Sequence, residues 1–270
     1  MGRYTLLEYV HEKSYVKLNR YISYLNNNED PKILLAVDYD LTLCREIQWK
    51  ALAEELPMKA QELNHQIDCI YTEKHLQGTL NAEQENQWIK DKIELYRKYN
   101  LCESMVEKAA NNLSLRKHAK ELFEIFKPEN VVIISYGIHN IIQAFVNRYK
   151  LRNVEINSTK LLFNENGIIS GYDEDSVVLP SQKGNILIDI CKRRGILLEN
   201  VVVIGDSKGD ELMFFPETLN ILVNASGDCN IKNVDFVLKS TDFRPLVSQL
   251  RRIKSKKITV AKQPKIIRYY

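Results

Sequence analysis

Ile33-Leu34-Leu35-Ala36-Val37-Asp38-Tyr39-Asp40-Leu41-Thr42 is the stretch on which the fold turns. Its first five residues are apolar without a break and read as a buried strand. A side chain at the end of such a strand is free, and the chain turning away behind it lets a second carboxylate approach the same small volume. Asp38 and Asp40 together have three readings. They carry covalent phosphoryl or acyl chemistry, in which the first attacks and the second moves a proton. They hold a hard cation such as Mg²⁺. Or they are a solvated acidic turn. The stretch alone does not separate the three.

The remainder of the chain narrows the choice. Its 270 residues are 44% hydrophobic and 27% charged, enough for one large core, or a core plus an inserted lobe. No run of 18 apolar residues is present, and Met1-Gly2-Arg3-Tyr4-Thr5-Leu6-Leu7 lacks an apolar stretch of signal-peptide length behind it. Cys44, Cys69, Cys102, Cys191 and Cys229 are odd in number and contain no Cys-x-x-Cys pair. They predict reduced thiols in a cytoplasmic setting, mostly as small core residues. The net charge of +3 hides an asymmetry: residues 251–270 carry eight Lys or Arg and no acid, leaving 30 basic against 35 acidic residues elsewhere. That tail is expected either to be solvated or to bring the protein peripherally to an anionic membrane surface. No nucleic-acid partner is expected.

Helical spacing from Leu6 to Leu25 predicts an N-terminal amphipathic helix. From Ile47 to about Lys127 the chain is rich in Glu, Lys, Gln, Leu and Ala, poor in Gly and Pro, and predicts about four helices. Strand-like runs return at Val131–Ile134, Val154–Ile156, Val201–Ile204 and Leu219–Val223, with helices over Asn140–Tyr149 and Gly184–Arg194. Short buried strands alternating with helices predict an α/β fold with a doubly wound, Rossmann-like parallel sheet. Leu161–Tyr172, with Asn164-Glu165-Asn166-Gly167 between two apolar runs, predicts a β-hairpin appended to it. The expected domains are a core of residues 1–44 and 128–250, a helical lobe over 45–127, and the basic tail 251–270.

Two more strand runs end at once in polar clusters: Ser135-Tyr136-Gly137 and Gly205-Asp206-Ser207-Lys208-Gly209-Asp210. Lys183 stands alone before a helix. Ligands bind beyond the carboxyl ends of strands in open parallel sheets, so these groups can converge. Asp38, Asp40, Asp206 and Asp210 would repel one another. A divalent ion relieves that repulsion and shields an approaching phosphate. Ser135 and the N–H groups beyond it can donate to phosphoryl oxygens, and Lys183 can neutralise charge at the attacking carboxylate.

In this order, Asp38-x-Asp40-x-Thr42, Ser135, Lys183 and Gly205-Asp206-Ser207-x-x-Asp210 resemble the four motifs of the haloacid dehalogenase-like hydrolase superfamily, and specifically its phosphatases. The resemblance implies a Mg²⁺-dependent phosphomonoesterase. Asp38 would form a phosphoaspartyl intermediate, and Asp40 would protonate the leaving oxygen and then activate water. Lys183 would support them. Asp38, the main-chain carbonyl of Asp40, Asp206 and Asp210 would hold Mg²⁺. Thr42, Ser135, Tyr136, Gly137 and Lys183 would surround the phosphate, with Thr42 also a candidate brace for the loop. The helical lobe would be an inserted cap.

After residue 130 the chain is similar to the cytosolic pyrimidine 5′-nucleotidases. Ser135-Tyr136-Gly137-Ile138-His139-Asn140-Ile141 parallels their Ser-Ala-Gly-Ile-Gly-Asp-Val, and Phe163–Tyr172 parallels their hairpin. Trp88 resembles a cap tryptophan of that branch, although Gln87 replaces the acid before it. The likeness extends to helical-capped phosphoserine phosphatases. Nucleoside 5′-monophosphates or similar small esters are the expected substrates. The alternative is an aryl phosphate such as phosphotyrosine, free or in a phosphoprotein. Tyr136 would then stack on the substrate or pack on the cap.

Overall fold

The run after Ile33 becomes the strand around which the sheet is laid down. The computed structural model describes residues 7–10, 12–27, 32–151, 153–223 and 230–251. Strand β1 (Leu7–Tyr9) and helix α1 (Glu12–Asn27) precede β2 (Leu34–Val37). Then come α2 (Gln48–Glu54), α3 (Met58–Leu76), α4 (Ala82–Lys98), α5 (Glu103–Asn111) and α6 (Ala119–Phe126). Next are β3 (Val131–Ile138), α7 (His139–Tyr149), β4 (Glu155–Thr159), β5 (Leu161–Phe163), β6 (Ile169–Tyr172) and α8 (Lys183–Arg194). The chain continues with β7 (Val201–Gly205), β8 (Leu219–Leu222), β9 (Phe236–Leu238) and α9 (Arg244–Arg251).

The main sheet runs β1-β9-β8-β7-β2-β3-β4; only β1 is antiparallel to its neighbour. β2 is an interior strand, with Leu35 opposite Val131 on one side and Leu34 opposite Val201 on the other. Alternate residues of these strands feed two cores. Leu35, Val37, Ile133 and Ile204 face one, with Leu18 and Tyr21 of α1, Leu122 of α6, Phe145 of α7 and Leu250 of α9. Leu34, Ala36, Val132, Ile134 and Val203 face the other, with Leu187 and Ile190 of α8. Burial on both faces is why the strand runs are unbroken rather than alternating.

The structure departs from the sequence-based expectations in several places. The N-terminal periodicity begins as strand β1, and its helix starts only at Glu12. The helical block holds five helices rather than four, and α6 packs on β2 and α9 beside the sheet. β3 continues through Ser135-Tyr136-Gly137 to Ile138, with a register shift against β4 between Ile134 and Ile138. The hairpin β5–β6 forms its own two-stranded sheet. Main-chain bonds from Ile169 N to Leu101 O at 2.8 Å and from Glu103 N to Gly167 O at 3.0 Å tie it to the α4–α5 connection instead.

Of the thiols, Cys44 and Cys191 are buried, while Cys69 is exposed and Cys102 half-buried; all four are free. Cys229 and residues 252–270, which contain most of the basic tail, lie outside the described residues. No helix among the described residues is long and apolar enough to cross a membrane.

Candidate active site

Asp38 continues β2 by one residue: its backbone is extended and its N–H donates to Ile204 O at 2.9 Å. The chain then turns sharply through Leu41, at φ 55°. A side chain in that left-handed region costs about 1 kcal/mol, so the turn must be held from outside. Buried Arg116 does this, donating to the carbonyl oxygens of Leu41, of Thr42 at 2.5 Å and of Ser240 at 3.1 Å.

The turn delivers Asp40 to the start of α2. Gln48 donates to Asp40 Oδ1 through its main-chain N at 2.8 Å and to Oδ2 through Nε2 at 3.3 Å. Gln48 Oε1 in turn accepts from Ile138 N at 2.7 Å. This crossing leaves no space at Gly137, where a Cβ would lie 1.8 Å from Gln48 Nε2. Gly137 N donates to Ser135 Oγ at 3.2 Å.

Lys183, the first residue of α8, is 3% exposed and joins the carboxylates. Its Nζ lies 2.7 Å from Asp38 Oδ1 and 2.7 Å from Asp210 Oδ1. The other Asp210 oxygen accepts from the N–H groups of Asp206 at 3.0 Å and Ser207 at 3.3 Å. Gly205 permits this approach, since a Cβ there would meet Asp210 atoms at 2.6 Å. Thr42 Oγ1 donates to Asp206 Oδ1 at 3.3 Å.

Ligand oxygens of Asp38, Asp206 and Asp210 all lie within 4.8 Å of one another. Burial, and then Asp210, raise the Asp38 pKa to about 6 against the pull of Lys183. Burial lifts Asp40 to about 7, with the Gln48 bonds working against it. Burial, then Asp210 and Asp38, push Asp206 well above the ordinary range. Burial would lower Lys183, but Asp210 and Asp38 outweigh it and hold the ammonium charged.

These groups open into a cavity of about 520 Å³ lined by residues of the sheet end and of α2, α3 and α4. Asp38, Asp40, Ser135, Tyr136, Lys183 and Asp206 line it. Thr42, Gly137 and Asp210 stand behind that lining. Thr42 and Gly137 are thus placed to brace Asp206 and Gln48 rather than to reach into the cavity. Tyr136 Oη donates to Glu85 O at 2.7 Å, and its ring stacks on His75 at 6.0 Å and meets Trp88 at 5.8 Å. Glu85 Oε2 accepts from Ser181 Oγ at 2.6 Å, fastening α4 to the segment just before Lys183.

Gln48, Arg116, His75, Glu85, Asp68 and Lys92 escape a reading of the sequence alone. Each sits in or beside a helix rich in similar polar residues, with no strand end or spacing to single it out. A signal was available only for Gln48, which lies one helical start beyond the acidic pair.

Fold and site together define a phosphatase of the haloacid dehalogenase-like class. The family model described as pyrimidine 5′-nucleotidase (UMPH-1) matches residues 44–218, and the chain belongs to that family. It is also 26% identical to a phosphoserine phosphatase of Methanocaldococcus jannaschii over 226 residues, covering 83% of this chain and all of that one. Two solved structures share the fold. A phosphoserine phosphatase carrying a phospho-aspartyl intermediate analogue superposes with TM-score 0.61 and 23% identity, over 80% of this chain and 97% of its own. Cytosolic 5′-nucleotidase IIIB bound to cytidine gives TM-score 0.66 and 13% identity, over 92% of this chain and 94% of its own.

Proposed function

We propose that this phosphatase hydrolyses nucleoside 5′-monophosphates or similar small phosphate esters through a phosphoaspartyl intermediate on Asp38. The observation that carries this reading is the bridge from Lys183 to Asp38 and Asp210, at 2.7 Å each, at the cavity. Lys183 takes up part of the negative charge that would repel an incoming phosphate and fixes the Asp38 carboxylate in one orientation. An Asp38 oxygen attacks phosphorus, the ester P–O bond breaks, and Asp40 gives its proton to the leaving oxygen. Asp40, now a carboxylate, takes a proton from water as that water attacks phosphorus. The bond to Asp38 breaks and inorganic phosphate is released. A pKa near 7 suits Asp40 to both steps.

The three clustered carboxylates, with the main-chain carbonyl of Asp40, suit a hard divalent cation such as Mg²⁺, because Lys183 offsets only part of their mutual repulsion. When bound, such an ion supplies charge neutralisation for the phosphate. Ser135, which lines the cavity, would donate its hydroxyl to a phosphoryl oxygen. We read α2, α3 and α4 as the cap that excludes water and selects the leaving group. The Glu85–Ser181, Tyr136–Glu85 and His75–Tyr136 contacts, which fasten α3 and α4 to the sheet end, favour a small ester over a phosphotyrosine still attached to a protein.

The test is a panel of nucleoside monophosphates, phosphoserine, phosphotyrosine and phosphotyrosyl peptides, assayed with Mg²⁺. Turnover of small esters is expected, with Asp38→Asn inactive and isotopic phosphate trapped on the wild-type chain in a hydroxylamine-labile form. Full activity of Asp38→Asn would sink the proposal.

A further inference from the structure

The helical wall of the cavity holds a buried cation. Lys92, on α4, is 2% exposed and lines the cavity. Its Nζ sits between two indoles, 5.4 Å from the Trp49 ring centre and 6.0 Å from that of Trp88. Asp68 Oδ1 stands 2.6 Å away and pairs with the ammonium, and Nζ has no further acceptor among the described residues. Asp68 is also engaged elsewhere: Oδ1 accepts from Trp88 Nε1 at 3.1 Å and Oδ2 from Asn64 Nδ2 at 3.0 Å. Asp68 takes up one N–H of the ammonium, and the others have no acceptor. A buried N–H with nothing to bond is costly, and the cavity beside it is where an acceptor can arrive.

Charge and shape say which acceptor. Asp68 already balances the ammonium, so a carboxylate brought to Lys92 would place a second negative charge beside Asp68 in a desolvated site. A carbonyl oxygen takes the N–H without adding charge. Trp49, Trp88, Tyr136 and His75 wall the space with rings, which suits a flat group over a branched or zwitterionic one. We infer that Lys92 is a specificity-determining residue. Its ammonium donates to an uncharged acceptor oxygen, such as a ring carbonyl, on a planar leaving group. The inference rests on the phosphatase reading of the same cavity.

Two variants test it: Lys92→Met, which keeps the length of the side chain, and Lys92→Met with Asp68→Asn, which leaves no unpaired charge if the single variant folds poorly. Kinetics are compared on uridine 5′-monophosphate, on ribose 5-phosphate, which lacks the ring, and on phosphoserine. The ratio of kcat/KM for the nucleotide to that for ribose 5-phosphate is expected to fall by about 10-fold or more, chiefly through KM. An unchanged ratio, with both substrates losing equally, would assign Lys92 a structural role and overturn the inference. A loss confined to phosphoserine would make the acceptor a carboxylate and overturn it as well. Trp49 and Trp88 are the chain's only two tryptophans, so intrinsic fluorescence titrated with uridine reports the same site without turnover. Saturable quenching in the wild type that weakens by a similar factor in both variants supports the inference. Equal affinities refute it. If none of the three esters is hydrolysed, the phosphatase reading fails, and the titration still decides the part played by Lys92.

Discussion

Asp40 owes its position to Gln48, and Gln48 owes its own to the missing side chain of Gly137. A methyl group at Gly137 cannot coexist with Gln48 Nε2 at 1.8 Å, so Gly137→Ala is expected to push the amide off Asp40. Steady-state kinetics should show kcat falling by about 10²-fold, the scale expected for the general-acid role proposed for Asp40, with a smaller change in KM. Arg116→Ala is expected to act on the same loop from behind, by releasing the left-handed turn at Leu41. Its signature would be lower activity together with a lower Tm. The acids and Lys183 were legible in the sequence because each follows an apolar strand run or opens a helix, positions where polarity is conspicuous. Gln48 and Arg116 were not, because an amide or guanidinium acquires its task only through a partner distant in the chain, as Arg116 does with Ser240.

Among elements, α4 connects stability to the cavity. It opens with a capping box: Gln84 N donates to Asn81 Oδ1 at 2.9 Å, and Asn81 N donates to Gln84 Oε1 at 3.2 Å. Asn81→Ala is expected to cost about 1 kcal/mol in urea denaturation. Glu85 sits one turn further on, so fraying that end should also loosen its hold on Ser181. Ser181→Ala removes the fastening directly. A KM increase of roughly 5-fold with a nearly unchanged kcat is expected, corresponding to about 1 kcal/mol for one hydrogen bond. Unchanged KM would show that the contact does not govern substrate capture. The four strand runs at the centre of the sheet were legible because burial on both faces leaves an apolar signature. β1 and β9, three residues each, are too short to leave one. The hairpin was found but misplaced, because its main-chain partners at Leu101 and Glu103 lie within the helical block, far from it in the chain.

At the scale of the whole molecule, the acidic cluster makes stability depend on pH. Asp38 and Asp40 have folded-state pKa values raised from 3.8 to about 6 and about 7, so the folded chain binds protons more tightly than the unfolded one. That contribution is complete below the unfolded value and is lost as pH rises through 6 and 7. For metal-free protein, Tm is expected to be higher at pH 5 than at pH 8. Added Mg²⁺ should raise Tm more at pH 8, where the carboxylates are charged, than at pH 5. His75 and His139, whose burial lowers their pKa values, act in the opposite sense, so a pH dependence of Tm that Asp38→Asn with Asp40→Asn left unchanged would contradict the burial described for these acids. The interior place of β2 has another consequence, one that belongs to synthesis. Its neighbours β3 and β7 begin only at Val131 and Val201, with the helical block made in between. A nascent chain therefore carries four apolar residues with both edges open until β3 is made and one edge open until β7 follows, and unpaired strand edges invite wrong partners. Chains stopped within the helical block should aggregate rather than hold a partial site. The strand that bears the proposed nucleophile is among the first to be made, yet it is enclosed only once β7 has been synthesised.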